Sequence, residues 1–175
     1  MKRRSLTTNI SCCCLLFTCL AVTSMTAQQT PGEVEPQHTD FSGRWRMVKS
    51  QSDFGQFHAP DIVVRLVDQH NPTMNVHTIQ TTGDKTTTAD ITYFTDGTIT
   101  NNVINGRDAE SKGFWDGAVL VIRTAMKTKS GENEQIADRW ELSSNHETLT
   151  ISSHIETPRG DFDMKMVCER DNVDC

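Results

Sequence analysis

The sequence is poor in aromatic residues and in long apolar segments, and these shortages exclude several classes of protein. Aromatic side chains make up 6% of the 175 residues, too few for the two aromatic girdles of a transmembrane β-barrel. The longest apolar stretch, 12–22, is too short to cross a bilayer as a helix. The sequence contains no Gly-x-Ser-x-Gly elbow and no glycine-rich phosphate loop. We therefore expect neither a membrane-spanning protein nor an enzyme.

Metal-ligand spacings are also missing. Beyond residue 27 there is no Cys-x-x-Cys pair, and the six histidines never occur as His-x-His. None of them stands out as a buried haem ligand, because their neighbours are polar or lie in turns. The sequence thus predicts neither a metal site nor a cofactor.

The N-terminal residues have the pattern of an export signal. Lys2, Arg3 and Arg4 precede the apolar stretch 12–22, and the small residue Ala27 suits signal-peptidase cleavage. We predict a signal peptide at 1–27 and a secreted or periplasmic protein. Two variants stay open: a twin-arginine signal at Arg3 and Arg4, and a lipoprotein anchored at Cys19.

Removal of this segment changes the chemistry of the chain. It leaves 14 basic and 23 acidic residues, a net charge of −9, which argues against a nucleic-acid surface. It also leaves two cysteines, Cys168 and Cys175, and export makes a disulfide between them plausible. We expect a flexible leader at 28–40, one domain at 41–170 and a tail at 171–175.

From Phe41 onward, apolar and polar residues alternate with the period of β-strands. The clearest case is 162–168, where Phe and Met residues alternate with Asp and Lys. Turn signals such as Asp96-Gly97 and Asn105-Gly106 separate the runs by about one strand length each. The pattern predicts ten strands, at 43–50, 62–69, 73–81, 86–94, 98–104, 107–115, 118–127, 134–142, 147–156 and 161–169.

Short connections between these strands favour antiparallel pairing of sequential neighbours. A long meander leaves two exposed edges, which closure removes. The predicted fold is therefore an all-β, up-and-down barrel of about 8–10 strands. A two-sheet sandwich is the alternative, but it usually needs longer crossover links. Charged outward faces argue against a barrel surrounded by lipid.

The first strand carries a family resemblance. Phe41-Ser42-Gly43-Arg44-Trp45 contains the Gly-x-Trp that opens lipocalins and other calycin-type barrels. Together with Trp115-Asp116-Gly117, Arg139-Trp140 and 148–151, it resembles a group of secreted bacterial proteins described as lipocalin-like. The resemblance implies that Arg170, after the last strand, packs on Trp45 and closes the barrel. The lipocalin Thr-Asp-Tyr element is missing, so a true lipocalin is not implied.

The inward side of such a barrel either packs solid or encloses a small ligand. Both possibilities stay open, and the inward parity is assumed for each strand. Asp138 is the one polar member, and a structural ion pair with Arg or Lys explains it more simply than a ligand contact. The candidate lining residues are Met47, Leu66, Ile91, Tyr93, Ile122, Asp138, Trp140, Ile151, Met164 and Met166.

The sequence thus favours a non-enzymatic barrel that binds a small apolar or amphipathic ligand. The alternative is a protein-binding module, such as a periplasmic protease inhibitor whose leader at 28–40 reaches into the enzyme. An enclosed apolar cavity favours the first interpretation, whereas a solid interior with an exposed apolar patch favours the second.

Overall fold

The structure is a computed structural model that describes residues 38–172. The predicted signal peptide at 1–27, the leader up to residue 37 and Cys175 lie outside the described residues. The described part contains ten strands and one short 3₁₀ helix, Lys49–Gln51. The strands are β1 Gly43–Met47, β2 Ile62–His70, β3 Thr73–Thr82, β4 Lys85–Phe94, β5 Thr100–Ile104, β6 Arg107–Asp116, β7 Val119–Lys127, β8 Asn133–Leu142, β9 Thr148–Thr157 and β10 Gly160–Arg170.

The predicted all-β meander is confirmed. All ten strands belong to one antiparallel sheet in the order β4-β3-β2-β1-β10-β9-β8-β7-β6-β5. The first and last strands pair directly, with Trp45 opposite Arg170, so the sheet curls into a nearly closed barrel. No helix in residues 38–172 is long and apolar enough to cross a membrane.

A side chain bridges the one seam of the barrel. β4 and β5 are the ends of the sheet and share no backbone ladder. The Thr92 N–H donates to Asn102 Oδ1 at 3.1 Å, and Asn102 Nδ2 donates to the Thr92 carbonyl at 2.9 Å. The amide of Asn102 thus supplies the donor and acceptor that a neighbouring strand would offer.

Two predicted strands, β1 and β5, are shorter than expected by two residues or more. β1 ends at Met47 because the chain turns into the 3₁₀ helix, although Asp53 rejoins β10 through an isolated bridge to Lys165. β5 begins at Thr100 because the Asp96 carboxylate accepts a hydrogen bond from the Thr98 N–H and holds that segment in a turn.

One end of the barrel is closed by aromatic packing. Trp45 is fully buried, and the Arg170 guanidinium lies 4.3 Å from the centre of its ring. Phe41 stacks on Trp115 and meets Trp140 edge-on. His38, in the segment predicted as leader, stacks on the other side of Trp115 at 4.4 Å. The ring-rich plug seals this end from solvent.

Gly43 makes this closure possible. Its φ of +136° is one that side-chain-bearing residues rarely adopt, and a Cβ there would lie 2.4 Å from Arg170 Nη1. The guanidinium also donates to the Ser42 and His146 carbonyls. Cation–π contact and hydrogen bonds together join the first strand to the end of the last.

Candidate ligand-binding site in the barrel interior

The ladder registers decide which side chains point into the barrel. Because Trp45 faces inward and pairs with Arg65, Arg65 also faces inward. The same logic extends from pair to pair around the sheet: Met74 opposite Tyr93, Leu120 opposite Trp140, and Ile151 opposite both Trp140 and Met166. Nine of the ten candidate lining residues have inward parity: Met47, Ile91, Tyr93, Ile122, Asp138, Trp140, Ile151, Met164 and Met166.

Leu66 is the exception. It points outward on β2 with 38% of its surface exposed, whereas Val63 and Val67 are buried. The apolar run 62–64 carries no period of two, so the sequence does not fix the parity of this strand. The neighbouring residue Arg65 points inward instead and places a cation in the interior.

The interior is solid at the closed end and open towards the other. Along β10, burial falls from Cys168 at 0% through Met166 at 8% to the half-buried Met164 and Phe162. β8 shows the same gradient from Trp140 to the half-buried Ile136. The sequence left open a solid interior or one that encloses a ligand. The structure has a packed core at one end of the barrel and accessible space at the other.

The open end carries a pocket of about 580 Å³. Its apolar wall contains Ile155, Phe162 and Met164 from the barrel and Phe57 from the loop that follows β1. Phe57 meets Phe162 edge-on at 5.5 Å and is 44% exposed. Lys129 and Arg159 reach the rim from the β7–β8 and β9–β10 turns. The size is that of a small-molecule site.

Polar side chains also occur on the inward face of the barrel. Arg107 on β6 donates to Glu134 Oε2 on β8 at 2.8 Å, and Ser111 and Thr124 share a buried hydrogen bond of 2.9 Å. Such a lining suits a molecule with polar groups better than a pure hydrocarbon.

Asp138 lies deeper, and its surroundings differ from the expected ion pair. Its Oδ1 accepts a hydrogen bond from Ser153 Oγ at 2.5 Å, and no Lys or Arg of residues 38–172 forms an ion pair with it. Burial raises the pKa of this carboxyl, while Ser153 and the more distant Arg65 partly offset the shift. Burial likewise raises the pKa of the Tyr93 hydroxyl, which therefore stays neutral and able to donate.

Arg65 is the functional candidate that the sequence does not reveal. Its guanidinium lies 5.3 Å from the centre of the Trp140 ring, and its charge also acts on Asp138, Tyr93 and Cys168. Arg65 Nε and Trp140 Nε1 are buried without a hydrogen-bond acceptor in the part of the chain that the structure describes. We refer to Arg65, Tyr93, Asp138, Trp140 and Ser153 as the inner polar cluster.

The cysteine and histidine predictions are resolved only in part. Cys168 is fully buried on β10, but the predicted disulfide stays a prediction because Cys175 lies outside the described residues. His77 and His154 are on the outer face, where they contact Asp90 and Asp163. Residues 38–172 contain no group of three metal-ligating side chains.

Solved structures of low sequence identity share this barrel fold. A secretory abundant heat soluble protein from Ramazzottius varieornatus aligns with a TM-score of 0.54 and 13% identity, over 75% of this chain and 95% of that one. Zebrafish ileal bile acid-binding protein complexed with cholic acid aligns with a TM-score of 0.51 and 12% identity, over 75% of this chain and 98% of that one. Human cRBP IV aligns with a TM-score of 0.50 and 13% identity, over 76% of this chain and 99% of that one.

At these identities the comparison shows the fold alone. No protein-family model matches the sequence, and a search of curated proteins gives no match. The resemblance to secreted bacterial lipocalin-like proteins therefore stays a prediction.

Proposed function

We propose that this protein is a secreted or periplasmic, non-enzymatic barrel that binds one small amphipathic molecule in its interior. The observation that carries the proposal is the burial gradient along β8 and β10, which leaves inward side chains accessible at a pocket of about 580 Å³. The bile acid-binding neighbour, solved with cholic acid, supports it by showing that a barrel of this shape accommodates such a molecule.

The lining narrows the kind of ligand. Phe57, Phe162 and Met164 offer apolar contact at the mouth, and Lys129 and Arg159 add positive charge at its rim. Methionine and aromatic walls adapt to irregular apolar bodies. A molecule with an apolar body and a polar end satisfies both the wall and the rim, whereas a fully apolar one would use the wall alone.

A titration with the neutral fluorophore N-phenyl-1-naphthylamine tests the proposal. The wild-type protein should bind it saturably with one site. Met164→Trp should weaken binding by about tenfold or more, because the larger side chain fills the interior. Lys165→Trp is the matched control, since Lys165 neighbours Met164 but faces outward. Absence of saturable binding, or equal effects of the two variants, would contradict an interior site.

A protein partner is the second candidate, and one feature favours it. Val103 lies on the edge strand β5 and is 62% exposed, and Ile99, just before that strand, is 57% exposed. Exposed apolar edges attract partners. Native mass spectrometry of the protein from its own source would then show a larger complex that Val103→Glu dissociates. A monomer carrying a small-molecule mass would reject this candidate.

A further inference from the structure

We propose that the seam of the barrel is a docking site for an extended peptide, which adds as a strand to the free edge of β4, beside β5. The peptide carries apolar residues together with Lys or Arg side chains. This inference rests on the protein-partner candidate and deepens it, because it names the site and the chemistry of the partner. The seam lies in the barrel wall, so the site is separate from the interior ligand.

The first support is a row of free backbone groups along β4. In an antiparallel strand, alternate residues direct their N–H and carbonyl to the same neighbour. Those of Thr92 point into the seam, where the Asn102 side chain binds them. The backbone groups of Thr86, Thr88 and Asp90 point the same way, because these residues lie at even spacings from Thr92. Within residues 38–172, no backbone hydrogen bond joins them to β5, so each offers a donor and an acceptor to an added strand.

The second support is the edge of β5, which is also unprotected. A two-residue turn, Asn105-Gly106, connects β5 to β6, and Ile104 lies next to that turn. The residue pair beside such a turn is hydrogen-bonded, so Val103, one position away, directs its backbone groups into the seam. The sequence of β5, TNNVI, contains neither a charged residue nor proline, which are the features that normally block pairing at a sheet edge.

Side chains beside the seam set the chemistry of the partner. Val103 is 62% exposed and lies opposite Asp108 on β6, and Glu110 follows on the same face. Within residues 38–172, neither carboxylate forms an ion pair. A groove of about 570 Å³ runs along these three residues to Lys127, which donates to Asn133. Apolar residues of the partner would contact Val103, and its Lys or Arg side chains would pair with the carboxylates.

The free stretch of β4 sets the length of the peptide. From Thr86 to Asp90 it spans roughly 17 Å at the rise of a strand. Asn102 closes the seam beyond this stretch, because its amide already occupies the backbone groups of Thr92. A segment of about five residues therefore covers the free edge, and its alternate side chains lie on the outer face.

The experiment titrates the protein with the fluorescein-labelled peptide KVTVK, followed by fluorescence anisotropy. Two matched peptides are the controls: EVTVE, which reverses the charge, and KVTVK with N-methylated backbone amides, which donates no backbone hydrogen bond. Wild-type protein should bind KVTVK saturably at one site. Both control peptides should bind about tenfold more weakly or worse, because one loses the ion pairs and the other loses the strand pairing.

Thr88→Pro tests the edge from the side of the protein. Proline removes the N–H that points into the seam, and an edge strand tolerates it because that N–H takes no part in the ladder with β3. Affinity for KVTVK should fall about tenfold or more. Thr88→Val is the matched control, since it keeps the N–H and changes only the side chain, and it should bind KVTVK as the wild type does.

The two carboxylates are tested together. The double variant Asp108→Asn and Glu110→Gln should reduce the preference for KVTVK over EVTVE about tenfold. Retention of the full preference would refute the assigned charge complementarity.

Amide hydrogen exchange locates the bound peptide. KVTVK should slow exchange at Thr86, Thr88 and Asp90, whereas Thr87 and Ala89, whose N–H groups point to β3, should not change. Equal binding of KVTVK and its N-methylated form would overturn the proposal whether or not Thr88→Pro folds. Protection confined to other parts of the barrel would overturn it as well.

The outcomes separate this site from the proposed function. If N-phenyl-1-naphthylamine binds saturably and KVTVK does not, the seam site is refuted and the interior ligand stands. If KVTVK alone binds, the interior ligand is refuted and the seam site stands. A native complex that Val103→Glu dissociates, without binding of KVTVK, would retain a protein partner but refute strand addition at the seam.

Discussion

Arg170→Met removes the guanidinium that joins the two ends of the barrel, and its cost follows from three contacts. The cation lies 4.3 Å from the ring centre of the fully buried Trp45, a partly desolvated contact that contributes about 1–2 kcal/mol. Hydrogen bonds to the Ser42 and His146 carbonyls, at 3.1 and 3.2 Å, add about 1 kcal/mol each. Methionine retains much of the apolar stem, so the free energy of unfolding should fall by about 2–4 kcal/mol.

Urea denaturation followed by tryptophan fluorescence measures this loss. The midpoint should fall with little change in slope, and the melting temperature should drop by roughly 10 °C. Arg123→Met is the matched control: its guanidinium also lies over a ring, that of Phe114 at 5.2 Å, but on the exposed outer face. It should cost less than about 0.5 kcal/mol. Equal losses in the two variants would refute the closure argument.

Three further predictions test other parts of the structure. Gly43→Ala should lower the free energy of unfolding by about 1–3 kcal/mol, because of the φ of +136° and the contact with Arg170. The double variant with Arg170→Met should lose less than the sum of the two single losses. Asn102→Ala should accelerate amide hydrogen exchange of Thr92 and its neighbours, because the seam loses two bonds; unchanged exchange would contradict its bridging role. Asp138→Asn should raise the melting temperature at neutral pH: a raised native pKa means that stability falls as pH rises above the ordinary Asp range, and this penalty should disappear at acid pH.

The sequence predicts most of the strand framework because its signals are local. Alternation over 162–168 and turns such as Asn105-Gly106 depend on neighbouring residues only, and β6 and β10 lie within two residues of their expected bounds. Even so, β1 ends early because its end depends on how the following 3₁₀ helix packs. That is a tertiary effect, which periodicity does not contain.

The candidate site is predicted less well, since inward parity is a property of registers between strands. The run 62–64 is apolar at every position, so only the pairing of Trp45 with Arg65 shows that the arginine points inward and Leu66 outward. In addition, charged residues are expected to face solvent, because they are rarely buried. The one available signal was Asp138, whose polar side chain on an apolar face already suggested a charge partner in the interior.

Asn102 and the plug at the closed end show the same limit. The amide of Asn102 acts between β4 and β5, strands that are consecutive in sequence but not paired. His38, Phe41 and Trp115 meet only after the barrel closes. No local pattern marks such contacts, because they depend on how the sheet curls.

Native mass spectrometry of the protein, gently purified from its own source, tests directly whether the barrel holds a ligand in its interior. We expect one bound small amphipathic molecule per chain, which Met164→Trp excludes and Lys165→Trp retains. A bare chain mass in every preparation, together with no saturable binding of N-phenyl-1-naphthylamine, would contradict an interior ligand site.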